Sequence, residues 1–284
     1  MSLGTFMNAL EQLEAMPEAL DSIGAGNYPV FKQTIPDREI REDHYRVRFA
    51  RTRKDLDEVL KLRFEVFNLE LGEGLESSFL LHRDLDEFDA ACHHLIVEDT
   101  AKGRIVGTYR MQTGEMAAAG RGWYSAAEFD LMSLPPGVLR DSVELGRACV
   151  ARDHRNTQVL FLLWRGLAAY VARNHKRYLF GCCSLTSQDA RAGLRLMQLL
   201  EAEGNCHPML RVTPQPGFQC AVNHEGAADS VDVSVPRLFQ IYLRYGAKVC
   251  GPPAIDWHFK TIDFLVLFDV FEMDAQTRRM FFRA

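Results

Sequence analysis

The sequence has no long uninterrupted apolar run, so we expect no membrane-spanning helix. Its most apolar stretch, residues 159–172, contains Arg165, whereas a spanning helix needs about 20 apolar residues. The first 20 residues have neither a basic lead nor a sustained apolar core, so we expect no secretory signal. Seven cysteines at irregular positions, with Cys182 and Cys183 adjacent, are typical of reduced thiols rather than a disulfide framework. We therefore predict a cytoplasmic protein.

The sequence also has no excess of positively charged residues. The chain has 33 Lys plus Arg against 38 Asp plus Glu, a net charge of −5 and a pI near 6.0. These values argue against a nucleic-acid partner held by a general basic field, so any positive patch must be local. With 284 residues, 47% of them hydrophobic, the chain has the composition of an ordinary globular protein whose core needs no disulfide or structural metal.

The pattern along the chain predicts an N-terminal arm, residues 1–43, followed by one folded domain, residues 44–284. The arm holds a short amphipathic stretch that precedes two glycines and a proline (Met7, Leu10, Leu13, Leu20, then Gly24, Gly26, Pro29). A poorly ordered tail is the alternative. Within the domain, residues 204–236 are rich in proline and weakly periodic, which predicts a long loop excursion.

Hydrophobic periodicity predicts an α+β fold with a mixed central sheet and helices on both faces. The segment from residue 143 to 184 has the order strand, helix, strand of a βαβ unit. The predicted strands are 45–49, 94–97, 104–111, 143–150, 178–184 and 264–268, and the predicted helices are 56–67, 157–174, 190–202 and 238–245. Arg63 lies in the apolar stripe of the first helix and should point inward.

Several local strings resemble one superfamily, the Gcn5-related N-acyltransferases. They are Arg63 with Val66 and Phe67, DEFD at 86–89 followed by HHLIV, IVGTYR ending at Arg110, and ELGR at 144–147. These strings are similar to the signature of acyl-homoserine-lactone synthases. They are still more similar to ornithine-lipid N-acyltransferases and related long-chain N-acyl amino acid synthases, which share strings like GWYSAAEFDL at 122–131, LFGCCS at 179–184 and YLRYGAKV at 242–249. The resemblance covers roughly residues 45–268 and implies the superfamily fold with its splayed strand pair.

Glu144 is the foremost catalytic candidate. It lies in an otherwise apolar strand just before a βα turn, where α/β sheets usually bind ligands. From the residues alone, the carboxylate is equally suited to a salt bridge with Arg147 or Arg63 and to catalysis. Strict alternation would place Glu144 and Arg147 on opposite faces unless the strand bulges, which Gly146 permits. The resemblance implies that bulge and favours catalysis, with Glu144, or a water it orders, taking a proton from the incoming amine; we assign Glu144 and Arg147 as catalytic.

Arg63 and Arg110 both lie among apolar residues, where a guanidinium needs an anion. One interpretation is a charge network with Asp86, Asp89 and Glu144 that shapes the site. The other is a grip on the carboxylate of an amino-acid substrate. The loop acids Asp84, Asp86 and Asp89 could also form a solvated loop or a metal site. We predict no metal because the family that the chain resembles needs none, and we favour a role for these acids in orienting the basic amine or the arginines. The predicted substrate-binding residues are Arg63, Phe67, Asp86, Asp89 and Arg110.

The resemblance implies that the acyl donor is a phosphopantetheine thioester. Its amide-bearing arm could bond free backbone groups between the splayed strands, while a backbone N–H near 148–150 holds the thioester oxygen. The loop at 152–157 lacks the glycines typical of coenzyme A users. A local basic patch, or else scattered solvated charge, surrounds it (Arg152, Arg155, Arg173, Lys176 and Arg177, with His154 and His175) and would suit the acidic surface of acyl carrier protein. The predicted donor-binding residues are Ala148, Cys149, Val150, Arg152, Arg155 and Thr157.

Two further sets are given structural roles. Cys149, Cys182 and Cys183 are predicted to be buried thiols rather than nucleophiles. The pair His93 and His94 does not have metal-ligand spacing, and strand alternation would place only one of the two rings inward.

The resemblance implies an N-acyltransferase. It would move a long-chain fatty acyl group, with or without a 3-hydroxyl, from acyl carrier protein or coenzyme A to the α-amine of ornithine, glycine or a similar amino acid. No tightly bound cofactor is expected, and the amphipathic product predicts peripheral contact with the inner membrane. An acyl-homoserine-lactone synthase and a non-catalytic acyl-binding or partner-binding module are the alternatives.

Overall fold

A computed structural model describes residues 28–221 and 231–282. The predicted amphipathic stretch of the arm and residues 222–230 of the predicted excursion lie outside the described residues. In the described part the strands are β1 (Ile40–Glu42), β2 (Tyr45–Phe49), β3 (His93–Asp99), β4 (Arg104–Thr113), β5 (Ser142–Val150), β6 (Tyr178–Leu185), β7 (Lys248–Val249), β8 (Ala254–Asp256) and β9 (Thr261–Asp269).

The α-helices of the described part vary widely in length. They are α1 (Arg53–Phe64), α2 (Ser78–Leu81), α3 (Gly114–Ala119), α4 (Pro136–Arg140), α5 (Thr157–Arg173), α6 (Ala190–Ala202), α7 (Arg237–Arg244) and α8 (Ala275–Phe281). One turn of π-helix, Glu65–Glu70, continues α1. Short 3₁₀ helices cover Lys32–Thr34, Tyr124–Ala127, Leu131–Ser133 and Arg152–His154.

The chain divides into two compact units. Unit 1 takes the described residues up to Gln112 together with Gly146–His175, and unit 2 takes Thr113–Leu145 together with the described residues from Lys176 onward. Strand β5 therefore begins in unit 2 and ends in unit 1.

Unit 1 is built on an antiparallel ladder of β1 to β4. Residues 40–42, which belong to the predicted arm, form β1 and pair with β2. One face of the ladder packs on α5, where the Phe49 ring stacks on Tyr170 at 5.5 Å between centroids. On the other face, Ile96 packs with Val59 of α1. Helices thus cover both faces of this ladder, as predicted.

The two adjacent histidines correct one prediction. Alternation predicts a single inward ring, but His93 is 1% and His94 0% exposed. Both are buried because β3 is covered on both faces. His93 bonds the Tyr170 hydroxyl and the Val30 carbonyl, each at 2.7 Å, and His94 bonds the main-chain oxygen of Asp89 at 3.0 Å.

Unit 2 is built on β6 and β9, which pair antiparallel along their whole length, with β7 and β8 also bonded to β9. The parallel partner of β6 is β5, as the predicted βαβ order requires, and their registered pairing runs from Ser142–Tyr178 to Glu144–Phe180. The pairing ends there while β6 continues to Leu185, as a splayed pair requires. A mixed sheet is therefore confirmed.

A long segment of unit 2 covers one face of its strands. Phe129, Leu131 and Leu134 pack in one buried cluster with Phe180 and Leu265. The described part of the predicted loop excursion is hydrogen-bonded to this segment through backbone groups. Asp130 N–H bonds Thr213 O at 2.9 Å, and Gln215 N–H bonds Glu128 O at 2.7 Å.

All seven cysteines are free thiols. Among the described residues, none of the helices has both the length and the hydropathy needed to cross a membrane.

Candidate active site

Arg63 is the centre of a buried charge network in unit 1. It projects from the last turn of α1 and is 0% exposed, so the predicted inward orientation is confirmed. Its Nε donates to Asp84 Oδ2 at 2.7 Å, and its Nη1 donates to Asp89 Oδ1 at 2.6 Å. The side chain is held by a helix whose start is fixed by a capping box between Thr52 and Asp55.

Two more arginines join the same acids. Arg110 of β4 donates to Asp86 at 2.6 Å and to Asp89 at 3.0 Å. Arg147 of β5 donates to Asp86 Oδ2 at 3.1 Å and places its Nε 3.3 Å from Asp84 Oδ2. Three guanidinium groups thus meet three carboxylates, and their formal charges cancel.

The charges of this network stabilise one another. Burial by itself would raise the pKa of Asp89, but the guanidinium groups of Arg63 and Arg110 outweigh it and lower that pKa. Burial opposes the charge of Arg110 too, yet Asp86 and Asp89 raise its pKa well above the usual value. The ionised forms of Asp89 and Arg110 are therefore favoured.

Two of the three acids predicted for the network of Arg63 and Arg110, Asp86 and Asp89, pair with these arginines, and one acid is added. The third predicted acid, Glu144, belongs to unit 2 and is bonded by Tyr124 and Ser125, as described below. Arg63 pairs with Asp89, Arg110 pairs with both Asp86 and Asp89, and Asp84 completes the set. The sequence analysis favours a role for Asp84 in orienting the basic amine or the arginines, and its contacts with Arg63 and Arg147 agree with the second of these roles; it is 0% exposed. Phe67 lies in the π-helical turn and is buried.

The main chain at Arg147 departs from regular strand geometry. Its φ of 48° is left-handed, although it lies within β5. A left-handed residue interrupts regular strand geometry at this point of β5, where we expect the bulge. Gly146 itself does not have a left-handed φ, and an added Cβ there would meet nothing within 4 Å.

Glu144 is held by donors that the sequence analysis missed. The side chain is 5% exposed. Its Oε2 accepts the Tyr124 N–H at 2.9 Å, and its Oε1 accepts the Ser125 N–H at 2.8 Å and the Ser125 hydroxyl at 2.5 Å. Three donors on two oxygens fix the orientation of the carboxylate.

These donors come from the first turn of the 3₁₀ helix Tyr124–Ala127, where backbone N–H groups have no partner within the helix. Trp123 anchors this turn, since its ring packs edge-on against Phe180 at 5.0 Å between centroids. Phe180 is the register neighbour of Glu144 on β6. The GWYSAAEFDL string therefore contains both the anchor and the donors of Glu144, which gives that string a structural meaning.

A second group of acids in unit 2 was also missed. One ligand atom each from Glu128, Cys182 and Asp263 lies within 4.8 Å of the others. Glu128 and Asp263 are 3% and 5% exposed. Glu128 lies three residues after Ser125 in the GWYSAAEFDL string. Its place in that string was the sequence signal that could have indicated this group.

The residues predicted to bind the donor lie at the end of β5 and in the turn after it. Cys149 is buried, and burial raises the pKa of its thiol to about 12, which agrees with a structural thiol. Asn156 caps α5 by accepting the Val159 N–H at 2.9 Å, and Thr157 is exposed at the helix start. Ala148 and Val150 are half-buried.

The predicted basic patch is smaller than expected. Lys176 is 7% exposed and bonds Glu115 at 2.6 Å and the Arg140 carbonyl at 2.8 Å, so it is a structural residue of unit 2. His154 is 5% exposed and bonds the Tyr45 hydroxyl at 2.8 Å. Arg155 is exposed but pairs with Glu70. Residue type alone could not separate these inward side chains from surface cations.

The comparisons with known proteins agree with this architecture. Residues 62–165 match the family model described as an acetyltransferase (GNAT) domain. The L-ornithine N(alpha)-acyltransferase of Brucella abortus (strain 2308) is 34% identical over 243 residues, which cover 79% of this chain and 84% of that protein. The chain belongs to the family of L-ornithine N(alpha)-acyltransferases.

Another member of the L-ornithine N(alpha)-acyltransferase family, from Rhodobacter capsulatus, is 30% identical over 84% of this chain and 95% of its own. Among solved structures, the AHL synthase LasI is similar over 84% of this chain and 95% of its own, with 14% identity and a TM-score of 0.46. By its domain match and its family, the protein is a GNAT-fold acyltransferase. The predicted fold and enzyme class are both confirmed.

Proposed function

We propose that this acyltransferase moves a long-chain fatty acyl group, including 3-hydroxylated chains, from acyl carrier protein to the α-amine of ornithine. The observation that carries the proposal is the buried, threefold hydrogen-bonded Glu144 on β5, in a chain whose relatives are named L-ornithine N(alpha)-acyltransferases. The product is an N-acyl amino acid, the lyso form of an aminolipid.

The reaction needs a proton acceptor. The α-amine arrives mostly as an ammonium and must lose a proton before its nitrogen can attack the thioester carbonyl. The new C–N bond forms, the C–S bond breaks, and the released thiolate takes up a proton. In this proposal Glu144, or a water that it orders, receives the proton from the amine. The donors Tyr124 and Ser125 keep the carboxylate in position throughout.

The donor arm is assigned to the end of β5. We infer that a backbone N–H within 148–150 stabilises the oxyanion that develops on the thioester oxygen. The glycine-free turn at Arg152–His154 favours a carrier-bound donor over coenzyme A, since it lacks the usual pyrophosphate loop. Arg152, the exposed first residue of this turn, supports an acidic carrier protein as the partner.

The charge network of Arg63 is assigned a positioning role. Its carboxylates already match its guanidinium groups in number, so no substrate carboxylate is needed to neutralise it. We infer that the network fixes Arg147, and through it the bulge of β5 three residues after Glu144.

We also propose that the enzyme acts in the cytoplasm, in peripheral contact with the inner membrane. Four large apolar side chains between residues 69 and 80 are at least 41% exposed, namely Leu69, Leu71, Phe79 and Leu80. Exposed apolar side chains in one stretch suit the edge of a lipid surface, where an amphipathic product would be released.

The test uses purified protein with long-chain acyl carrier protein and with acyl coenzyme A, each in the presence of ornithine or glycine. Mass spectrometry of the product identifies both the chain and the head group. We expect N-acylornithine from the carrier-bound donor, and a loss of roughly 100-fold in kcat for Glu144→Ala without loss of folding. Glu203→Ala, at an exposed position, is the control. Equal turnover by Glu144→Ala would exclude Glu144 as the proton acceptor, and a lactone product would exclude the proposed reaction.

A further inference from the structure

One short stretch of unit 1 carries five cations and no acid. It is residues 44–54, HYRVRFARTRK, and its cations are Arg46, Arg48, Arg51, Arg53 and Lys54. The whole chain has a net charge of −5, so this positive charge is local. The cations within residues 38–54 outnumber the acids that pair with them by seven to four. None of them is assigned to the acyl transfer site.

Arg46 and Arg48 project from the same face of β2. Side chains alternate along a strand, and Phe49 of the opposite face stacks on Tyr170 of α5. Arg48 reaches instead to Asp55 in the first turn of α1, at 2.7 Å. The two guanidinium groups therefore lie on the α1 side of the antiparallel ladder, two residues apart.

The chain before β1 forms a cavity with these arginines. Arg51 donates to the carbonyl of Pro36 at 3.1 Å and pairs with Asp37 at 2.9 Å, which holds residues 36–39 close to the end of β2. The cavity has a volume of about 240 Å³. Clefts for drug-sized ligands hold about 300–1,000 Å³, so this one suits a smaller group. Its charged lining consists of four arginines and two acids, namely Arg38, Arg46, Arg48, Arg51, Asp37 and Glu39.

The arginines of this cavity keep N–H groups beyond those that bond their acid partners. Arg46 and Arg48 share one oxygen of Glu98, to which their Nε atoms donate at 3.2 and 3.1 Å. Their Nη2 atoms donate to Glu98 and to Asp55. Within residues 28–221 and 231–282, Nη1 of neither arginine makes a hydrogen bond, although that of Arg46 lies 3.7 Å from a Glu39 oxygen. A guanidinium has five N–H donors, so both can bind a further anion without releasing their present partners.

We propose that this cavity binds a phosphate group, carried either by a soluble phosphate ester or by the headgroup of an anionic lipid. The planar fork of a guanidinium matches the oxygens of a phosphate. The phosphate accepts from Nη1 of Arg46 and Arg48, and Arg38, exposed at the rim, adds its charge. The acids of the lining yield to it, because the side chains of Asp37 and Glu39 are 86% and 36% exposed and can turn to solvent. This inference goes beyond the proposed function and does not depend on acyl transfer.

The acidic surface of a protein, such as a carrier protein, is the competing occupant. A protein surface laid across the opening would reach the exposed side chains of Arg38 and Arg51. The side chains of Arg46 and Arg48 are only 27% and 20% exposed, so a group must enter the cavity to bond them. A small anionic group can do so and contact several arginines at once, which favours a phosphate group.

The test measures binding of inorganic phosphate to the purified full chain by calorimetry. Co-sedimentation with vesicles of phosphatidylcholine, alone or mixed with phosphatidic acid, examines the lipid source. Arg46→Gln should weaken phosphate binding by about 10-fold, because one charge-assisted contact is lost. Glu39→Gln should tighten it by roughly 3-fold, because a carboxylate of the lining no longer repels the anion. Arg165→Gln removes the same charge on the α5 side, where Arg165 pairs with Glu42, and should bind like the parent.

The two sources of phosphate give different results. If the mixed vesicles sediment the parent and the Arg165→Gln protein but not Arg46→Gln, a lipid headgroup occupies the cavity. If inorganic phosphate binds and all three proteins sediment equally, the occupant is a soluble phosphate ester. Thermal unfolding identifies a variant that does not fold, and Arg38→Gln, at an exposed position, then takes its place.

Three results would overturn the proposal. The first is a parent protein that binds neither inorganic phosphate nor the mixed vesicles. The second is equal binding of phosphate and of vesicles by the parent, Arg46→Gln and Glu39→Gln. The third is a KM for acyl carrier protein that rises in Arg46→Gln while the parent binds no phosphate, which would assign the arginines to the carrier protein.

Discussion

Ser125 donates two hydrogen bonds to the same oxygen of Glu144, one from its backbone N–H at 2.8 Å and one from its hydroxyl at 2.5 Å. The hydroxyl can be removed by substitution, whereas the backbone donor cannot. The pair therefore allows the orientation of the carboxylate to be perturbed without changing its charge.

We expect Ser125→Ala to lower kcat by roughly 10-fold, because a buried carboxylate loses one of its donors. The two backbone N–H bonds remain, so the thermal unfolding temperature should change little. Steady-state kinetics with acyl carrier protein and ornithine, together with a thermal scan, checks both effects. Ser133→Ala serves as the control, since its hydroxyl bonds Asp130 O and Arg211 O rather than Glu144. Equal losses of kcat in the two variants would contradict the role of Ser125.

The surroundings of Glu144 and Arg63 differ in how far they can be predicted from the sequence. The inward direction of Arg63 was predictable, because it interrupts an apolar stripe at helical spacing. Its partners Asp86 and Asp89 belong to a local string of charged residues. The donors of Glu144 lie 19 and 20 residues away from it, and two of the three bonds come from backbone groups, which have no sequence signature.

Short elements and burial were equally hard to predict. The strands β1, β7 and β8 have two or three residues each, too few for periodicity to indicate them. Residue type alone predicts Lys176 at the surface, because lysines are rarely buried; its ion pair with Glu115 depends on a contact 61 residues distant. Long regular elements such as α6, predicted at 190–202 and found at Ala190–Ala202, were confirmed because they carry many periodic positions.

Removing Arg63 should cost far more stability than removing a surface arginine. Arg63→Met leaves the buried Asp84 and Asp89 without their main cation, so we expect a loss of about 3–5 kcal/mol in the free energy of unfolding. Arg83→Met is the matched control, because Arg83 pairs with Asp57 where both side chains are partly exposed; its loss should be about 1 kcal/mol or less. Urea unfolding of both variants measures the difference. Similar losses would mean that the network adds little to folding.

The stability of the fold should fall as pH decreases below about 6.5. Burial lowers the pKa of His93 and of His94 to about 4, and for His94 the nearby Arg63 opposes the attraction of Asp89. Because these folded-state values lie below the unfolded value of about 6.5, the unfolded chain binds more protons between pH 6.5 and 4. The stabilisation is therefore complete above pH 6.5 and is lost as pH falls towards 4, by roughly 3 kcal/mol for each ring.

Urea unfolding at several pH values measures this slope. His93→Gln should make the slope shallower, whatever its effect on absolute stability, because one titrating ring is gone. His94 still titrates in the same range, so part of the slope should remain. Asp89, whose pKa is lowered in the folded state, adds to the loss of stability only below its ordinary pKa of about 4. His44→Gln, at an exposed position, should leave the slope unchanged. A parent protein whose stability does not vary between pH 7 and 5 would exclude this account.

Gly181 on β6 should be far less tolerant of substitution than Gly146 on β5. A Cβ added at Gly181 would lie 2.1 Å from the backbone oxygen of Leu145, so the two strands of unit 2 could not keep their present spacing. We expect Gly181→Ala to cost about 3 kcal/mol or more in the free energy of unfolding. The kcat should also fall, because Leu145 is the neighbour of Glu144.

At Gly146 a Cβ meets nothing within 4 Å and φ is not left-handed. The free energy of unfolding of Gly146→Ala should therefore stay within about 1 kcal/mol of the parent value. Urea unfolding of the two alanine variants tests which property requires glycine. One is the close approach of β5 to β6 at Gly181, and the other is the freedom of the backbone at Gly146. The opposite order of stabilities would show that the bulge needs glycine and that the contact with Leu145 can relax.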